Sequence, residues 1–371
     1  MTDPVPFEIF LVASPGLEAT VAEEARERGF AGVTLVEGGV TLSGGWPEVW
    51  RANLELRGPT RVLVRIATFR AMHLAQLDKR SRKLPWGEFL RDDVPVSVEA
   101  TCRKSKIYHA GAAAQRVATA IREELGAPIR DDAELRVMAR IEDDLVTISI
   151  DATGESLHKR GHKEAVNRAP MRETMAAMFL RQCGYAGTEP VLDPMCGSGT
   201  FVIEAAEIAA GLKPGRTRDF AFEQLKGFDA AAWQAMRSAA TPAAPDLLFH
   251  GSDRDAGAVA MSRENAERAG VTALTRFSEQ AIADLQRPDG PPGLVIVNPP
   301  YGARIGDRGG LTPLYRTMGQ VLLSRFSGWR VGIVATDKAL VNATGLPFLP
   351  PGPPVLHGGL RVTLWRTGVL R

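Results

Sequence analysis

The chain has 371 residues, 44% of them hydrophobic and 24% charged, with a net charge of +2. This composition can build real cores and excludes global disorder, while the three cysteines, Cys102, Cys183 and Cys196, lie too far apart for a disulfide framework or a cysteine-only zinc site. The N-terminal MTDPVPFEIF has no basic flank or long apolar run, and no stretch approaches 18 uncharged apolar residues, so a cytoplasmic, reduced protein with no signal peptide, membrane span or metal is expected.

In chain order, Phe7–Val12 reads as a strand, Leu17–Arg28 as a helix after the Ser14-Pro15-Gly16 turn, Val33–Val36 and Val40–Leu42 as short strands, and Trp46–Leu54 as a helix. Arg61–Phe69 carries Val62, Val64 and Ile66 at spacing two, the pattern of a half-buried strand. Val94–Ala100 is a further strand. Tyr108–Leu125 is a helix with Ala112, Val117, Ile121 and Leu125 on one stripe. Leu135–Ile141 and Leu145–Ile150 make a hairpin across Glu142-Asp143-Asp144. The whole is an α+β module ending near residue 155.

Charge is unevenly spread over this module. Arg51 to Ala110 holds 13 Lys or Arg against 6 Asp or Glu. The run Lys79, Arg80, Arg82, Lys83 and the cluster Arg103, Lys104, Lys106 supply seven of these. Clustered positive charge holds a polyanion through phosphate contacts; the alternative is an ordinary solvated face. Residues 156–170 form a linker rich in Gly, His and basic side chains, with Lys159, Arg160, Lys163 and Arg168 beside the next domain.

The second half has a different rhythm. Helices are expected at Met171–Gln182, Thr200–Ala210, Ala256–Ala269 and Leu311–Phe326, and strands at Pro190–Asp193, Leu247–His250, Thr272–Phe277, Leu294–Val297, Arg330–Ala335 and Arg361–Trp365. Strands separated by helices imply right-handed crossovers and a largely parallel sheet covered on both faces. Trp329–Arg371 is short for two more crossovers, so a turn-like connection should join the last strands.

Three segments carry chemistry. In Val191-Leu192-Asp193-Pro194-Met195-Cys196-Gly197-Ser198-Gly199-Thr200 an apolar strand ends in a carboxylate. Two glycines then allow a tight turn and close ligand approach, and a helix starts with free N–H groups. It is neither a dinucleotide fingerprint nor a Walker loop. In His250-Gly251-Ser252-Asp253-Arg254-Asp255, Asp253 is the choice for accepting two ribose hydroxyls, and Asp255 suits a helix cap. In Val297-Asn298-Pro299-Pro300-Tyr301-Gly302 the prolines stiffen a turn and remove N–H donors. That leaves the Asn298 oxygen and backbone carbonyls to accept an exocyclic base amine, with Tyr301 to stack on the ring.

Together, DPMCGSGT, GSD and NPPYG in this order resemble class I S-adenosylmethionine-dependent methyltransferases, and the whole chain resembles the THUMP-containing RNA guanine-N2 methyltransferases. Leu157-His158-Lys159-Arg160-Gly161, Ala169-Pro170-Met171-Arg172-Glu173-Thr174 and Phe201-Val202-Ile203-Glu204-Ala205-Ala206 are similar to that family too. The resemblance implies a Rossmann-like methyltransferase domain with a mostly parallel seven-stranded sheet, preceded by an α+β THUMP-type RNA-binding region. The expected divisions are 1–55 (ferredoxin-like), 56–155 (THUMP-type), 156–170 (basic linker) and 171–371 (methyltransferase).

Carried over by position, the resemblance implies that Asp193, Cys196, Gly197, Gly199 and Thr200 surround the methionine portion of S-adenosylmethionine, that Asp253 binds its ribose, and that Asn298, Pro299, Pro300 and Tyr301 form the catalytic motif, Asn298 also facing the cofactor. Arg172 and Glu173 match a helix that caps the cofactor. Gln280 stands where the family usually has an Asp for the adenine amine, and Ala303 where relatives often have Glu before Arg304. Lys79, Arg80, Arg82, Lys83, Arg103, Lys104, Lys106, His158, Lys159 and Arg160 are the expected RNA-binding side chains. The function so implied is N2-methylguanosine formation in 23S ribosomal RNA. The alternatives are a tRNA guanine-N2 enzyme, an RNA adenine-N6 enzyme and a non-catalytic RNA-binding assembly factor. No obligate protein partner is evident in the sequence.

Overall fold

The computed structural model describes residues 6–164, 171–239, 246–301 and 308–371. The chain divides into two units: one holds the residues up to Ala13, Val21–Leu157 and Gly215–Ala239, the other Ser14–Thr20, His158–Pro214 and the chain from 240 onward. This differs from an unbroken methyltransferase segment over 171–371, since Gly215–Ala239 groups with the N-terminal unit.

Elements up to the hairpin run β1 (Phe7–Val12), α1 (Glu18–Glu27), β2 (Thr34–Val36), β3 (Gly39–Gly44), α2 (Trp46–Glu55), β4 (Arg61–Arg70), α3 (Leu74–Ser81), α4 (Trp86–Phe89), β5 (Val96–Arg103), α5 (Ala110–Leu125), β6 (Leu135–Glu142) and β7 (Leu145–Asp151). Their sheet has the order β2-β3-β1-β4-β7-β6-β5. β4 is the hinge of this order: Arg61–Arg65 pair with β1, and Leu63–Arg70 pair with β7 across a bulge at Arg65/Ala67. The expected parts 1–55 and 56–155 therefore share one sheet. The hairpin turn is the two residues Asp143 and Asp144, both at positive φ (50° and 62°). That is the type I′ geometry that matches strand twist, and Asp tolerates it.

The helix α3 was not expected. Its apolar stripe is short, with Leu77 as the buried anchor, and His73 caps it by accepting the Gln76 N–H. The basic run thus straddles the end of this helix, with Lys79 and Arg80 on it and Arg82 and Lys83 just after it. Gly215–Ala239 joins this unit through aromatic packing: Phe220 stacks on Phe222 at 5.2 Å, Trp233 meets Phe222 edge-on at 4.9 Å, and Trp50 of α2 lies 6.2 Å from Phe222. Such contacts bury large areas per residue and dominate local energetics.

The remaining elements are α6 (Glu173–Gln182), β8 (Val191–Asp193), α7 (Thr200–Ala209), α8 (Ala230–Arg237, in the first unit), β9 (Phe249–Asp253), α9 (Ala256–Ala269), β10 (Thr275–Glu279), β11 (Leu294–Val297), α10 (Arg308–Arg325), β12 (Arg330–Ala335), α11 (Lys338–Asn342), β13 (Val355–His357) and β14 (Leu360–Arg366). The second sheet has the order β10-β9-β8-β11-β12-β14-β13. β10, β9, β8, β11 and β12 are parallel, and β14 runs antiparallel to β12 and β13. The expected mostly parallel seven-stranded sheet is present. Gly358 and Gly359, both at positive φ, make the tight connection into β14.

The core explains the register. β11 reads Leu294-Val295-Ile296-Val297 and is wholly buried, as a central parallel strand must be. On one face Val295, Val297, Val331 and Ile333 pack with Tyr315, Met318 and Leu322 of α10 and with Phe326 and Trp329 just after it. β9 begins two residues later than expected and runs through Asp253, because parallel pairing on both sides overrides the weak strand propensity of His-Gly-Ser-Asp. Among the described residues no helix is long and apolar enough to cross a membrane.

Candidate active site

Chain order in the second sheet reverses direction at β8: the next two strands lie on one side, β11 and β12 on the other. Ligands bind at the carboxyl ends of strands at such a switch point. Register brings the sequence-predicted residues to that edge. Asp193 pairs with Gly251, Asp253 with Glu279, and Val295 with Leu192, so the loops after β8, β9, β10 and β11 begin side by side. These loops carry Cys196–Thr200, Asp253, Gln280 and Asn298–Tyr301.

The first loop is held from outside. Its Gly197 N–H donates to Asp253 Oδ2 (3.0 Å), Ser262 Oγ donates to the Gly197 carbonyl (2.9 Å), and Asn265 Nδ2 donates to the Ser198 carbonyl (3.0 Å). Gly199 has φ +82°, and a Cβ there would press on Ser262 at 3.1 Å. A Cβ on Gly197 would instead enter open space, which is what a cradle for a ligand requires. Gly251 must lack a side chain, since a Cβ would lie 2.5 Å from the Phe277 ring.

Electrostatics in this loop are set by burial. Asp193 is 2% exposed, its Oδ1 accepts the Met195 N–H at 3.0 Å, and burial pushes its carboxyl up to about 8, with Asp253 adding to the rise. The Cys196 thiol is also pushed well up by burial, with Asp193 next, so it is no nucleophile near neutral pH. Asp253 Oδ1 accepts the Asp255 N–H (3.0 Å), and Asp255 caps α9 by accepting the Gly257 N–H (2.8 Å). Asp255 thus takes the capping role, and Asp253 instead ties the glycine loop to the start of α9.

Gln280 donates its backbone N–H to the Asp253 carbonyl (2.9 Å) and its side-chain Nε2 to the Asp284 carbonyl (3.0 Å). Gln280 also lines a cavity of about 220 Å³ with Leu192, His250, Ser252, Phe277 and Leu285. Among the described residues the buried Ser252 Oγ has no hydrogen-bond partner, and burial lowers the basicity of His250, helped by Arg276.

At the end of β11 the Asn298 Oδ1 is buried and, among the described residues, has no hydrogen-bond partner. An orphaned buried acceptor costs about 1–3 kcal/mol, and functional sites are where such groups persist. The Pro300 carbonyl accepts the Tyr315 hydroxyl at 3.3 Å, fixing the turn from the core side. Tyr301 is half-buried at its rim. Gly302, Ala303 and Arg304 lie outside the described residues, as does Arg168.

The expected RNA-binding side chains separate into groups. Lys79, Arg80, Lys83, Lys104 and Lys106 are exposed on the first unit. Arg82 is instead held by Asp78, Glu123 and Glu124 at 2.9, 2.6 and 3.1 Å, and Arg103 by Glu37 and Glu142, both at 3.3 Å. Lys159 is exposed on the second unit. One of the expected contacts is corrected. Arg160 is 2% exposed and its Nε meets Glu204 Oε1 at 3.1 Å, so it is a core ion pair rather than a phosphate contact. His158 is half-buried and pushed down to about 4, by burial first and by Arg172 and Lys159 next, so near neutral pH it offers a neutral N–H donor rather than a cation. Segment 158–164 is thus more than a linker, because polar Arg160 and His162 are buried against Glu204 and Glu207 of α7.

Sequence reading missed Ser262 and Asn265, the supports of the glycine loop. Their signal was two polar residues in phase with Val259, Ala266 and Ala269 on the buried face of α9. Tyr108, two residues after Lys106 in the chain, is an aromatic 84% exposed.

A family model for the RMKL-like methyltransferase domain matches residues 160–347. The chain belongs to the RMKL-like methyltransferases. The RlmL ferredoxin-like domain matches residues 8–63 and the THUMP domain residues 72–151 of this RMKL-like chain. It is 31% identical over 366 residues to a Synechocystis sp. protein whose name assigns it to the RNA methyltransferases, covering 96% of this chain and 95% of the relative. It is 35% identical over 363 residues to the ribosomal RNA large subunit methyltransferase K/L of Syntrophotalea carbinolica. That match takes 92% of this chain and 51% of the K/L protein, so the chain spans about half the length of that relative. Among solved structures it is similar to SMU.472, a protein described as a methyltransferase and complexed with SAH, at a TM-score of 0.90 and 28% identity over 99% of each chain.

Proposed function

We propose that this RMKL-like methyltransferase transfers a methyl group from S-adenosylmethionine to the exocyclic N2 of a guanine in 23S ribosomal RNA, acting in the cytoplasm. The observation that carries the reading is the buried Asn298 Oδ1, without a partner among the described residues, at the strand end beside the glycine loop. The cofactor's fit rests on the open space at Gly197 and on the acidic side chains Asp193 and Asp253 at adjacent strand ends. The ribosomal RNA substrate is supported by the K/L relatives' names, and RNA binding by the THUMP match and the exposed lysines.

S-adenosylmethionine, when bound, supplies a methyl group on a sulfonium that reacts in line with a nucleophile. Guanine N2 is a poor one, because its lone pair is delocalised into the ring. Asn298 Oδ1 and the Pro299 carbonyl would accept the two amine protons, orient the lone pair and favour the positive charge that develops during attack. The Pro300 carbonyl is already used by Tyr315, which favours its neighbour for this role. Tyr301 would hold the plane of a base turned out of its stack. Asp253 would accept ribose hydroxyls, and Gln280 the adenine amine through its oxygen.

Mass spectrometry of nucleosides from separated ribosomal RNA and tRNA, with and without the gene, tests the proposal. N2-methylguanosine lost from 23S RNA supports it. Loss from tRNA, loss of N6-methyladenosine, or no change with intact RNA binding selects the tRNA, adenine or non-catalytic reading instead. Purified Tyr301→Ala should keep cofactor affinity and lose most turnover.

A further inference from the structure

Lys163 bolts together the two segments that border the glycine loop. Its side chain is 10% exposed. Its ammonium donates to the Met171 carbonyl at 2.6 Å and to Thr200 Oγ1 at 2.9 Å, and it lies 3.3 Å from Glu173 Oε1. Three donors thus meet three acceptors, one just before α6, one in the first turn of α6 and one at the first residue of α7. Burial lowers the basicity of Lys163, and Glu173 opposes that loss.

The bond to Thr200 has a directional consequence. A hydroxyl that accepts from an ammonium must aim its own proton elsewhere. Thr200 begins the helix that closes the glycine loop, where free N–H groups already favour an anion. We propose that Lys163 is a positioning residue that orients Thr200 as a donor to the carboxylate of the cofactor's methionine part. The bridge to Glu173 and Met171 fixes the ammonium so that this orientation is maintained before the cofactor arrives. This rests on the cofactor reading given above.

The test compares two ligands, S-adenosylhomocysteine and 5′-methylthioadenosine, which lacks the amino-acid carboxylate. Calorimetry is run on the wild type and on the double variant Lys163→Met, Glu173→Gln. The double change leaves no uncompensated buried charge, so the fold should hold. S-adenosylhomocysteine affinity should fall about tenfold, methylthioadenosine affinity should stay within about twofold, and the ligand-free melting temperature should stay close to wild type. Equal losses for both ligands, loss for neither, or a variant that no longer folds would overturn the positioning role. A wild type that binds no S-adenosylhomocysteine would overturn the cofactor reading itself, a result distinct from the other three.

Discussion

Arg160 and Glu204 meet at 3.1 Å with side chains 2% and 1% exposed, an ion pair taken wholly out of water. Breaking such a pair from one side strands a charge and costs about 3–5 kcal/mol, whereas a surface pair of the same length is worth about 0–1 kcal/mol. Arg160→Met should therefore lower the melting temperature by several degrees while RNA affinity of the folded fraction stays unchanged. A variant with wild-type melting and weakened RNA binding would return Arg160 to the RNA surface.

The Asp193 carboxyl sits at about 8 against an ordinary value of 3.8, and the cause is burial. Its raised native value means that it helps stability fully below the unfolded value and loses that help as pH rises from about 4 to about 8. Asp193→Asn can keep the bond from the Met195 N–H and carries no charge to bury. Ligand-free Asp193→Asn should melt above the wild type at pH 8, with the gap closing as pH falls toward 4. Thermal melts across that range check the sign. A gap that widens toward acid would show that Asp193 is ionised in the folded protein.

Among the basic residues, structure separates the spent from the available. Lys79 and Lys83 are exposed on and just after α3, whereas Arg82 is shared among Asp78, Glu123 and Glu124. Lys79→Gln with Lys83→Gln should weaken RNA binding and lower the slope of log affinity against log salt by about 1 per lost phosphate contact. Arg82→Gln should leave that slope unchanged. A salt titration of all three proteins decides it.

Tyr108 is 84% exposed, so removing its ring costs the fold little. Base stacking on an aromatic is worth about 1–3 kcal/mol. Tyr108→Ala should lower RNA affinity roughly five- to a hundredfold, with no change in melting temperature or salt slope. Unchanged affinity would make it an ordinary exposed side chain.

The second half was legible because its strands are continuous apolar runs: β11 at Leu294–Val297 and β12 at Arg330–Ala335 fall where the pattern puts them. The site was legible because glycines, prolines and a carboxylate follow those strands directly. What the pattern concealed was tertiary. Arg160 and Lys163 look like surface charge until the acids that bury them, Glu204 and Glu173, arrive from elsewhere in the chain. α3 has too few apolar positions to announce itself, and Gly215–Ala239 gives no local hint of which unit it serves. Periodicity reports which face of an element is dry, not which distant partner dries it.

The aromatic segment around Phe220, Phe222 and Trp233 is made long after the sheet it packs with, whose last strand ends at Asp151. During synthesis, roughly 4–16 s of further elongation separates Leu157 from Ala239 at bacterial rates of about 5–20 residues per second. For that interval a nascent N-terminal module holds Trp50 without the Phe222 and Phe228 rings that pack on it in the folded chain. A gene fragment cut after Leu157 would freeze the chain in that interval permanently, and should be recovered in inclusion bodies unless residues 215–239 are supplied as a separate peptide.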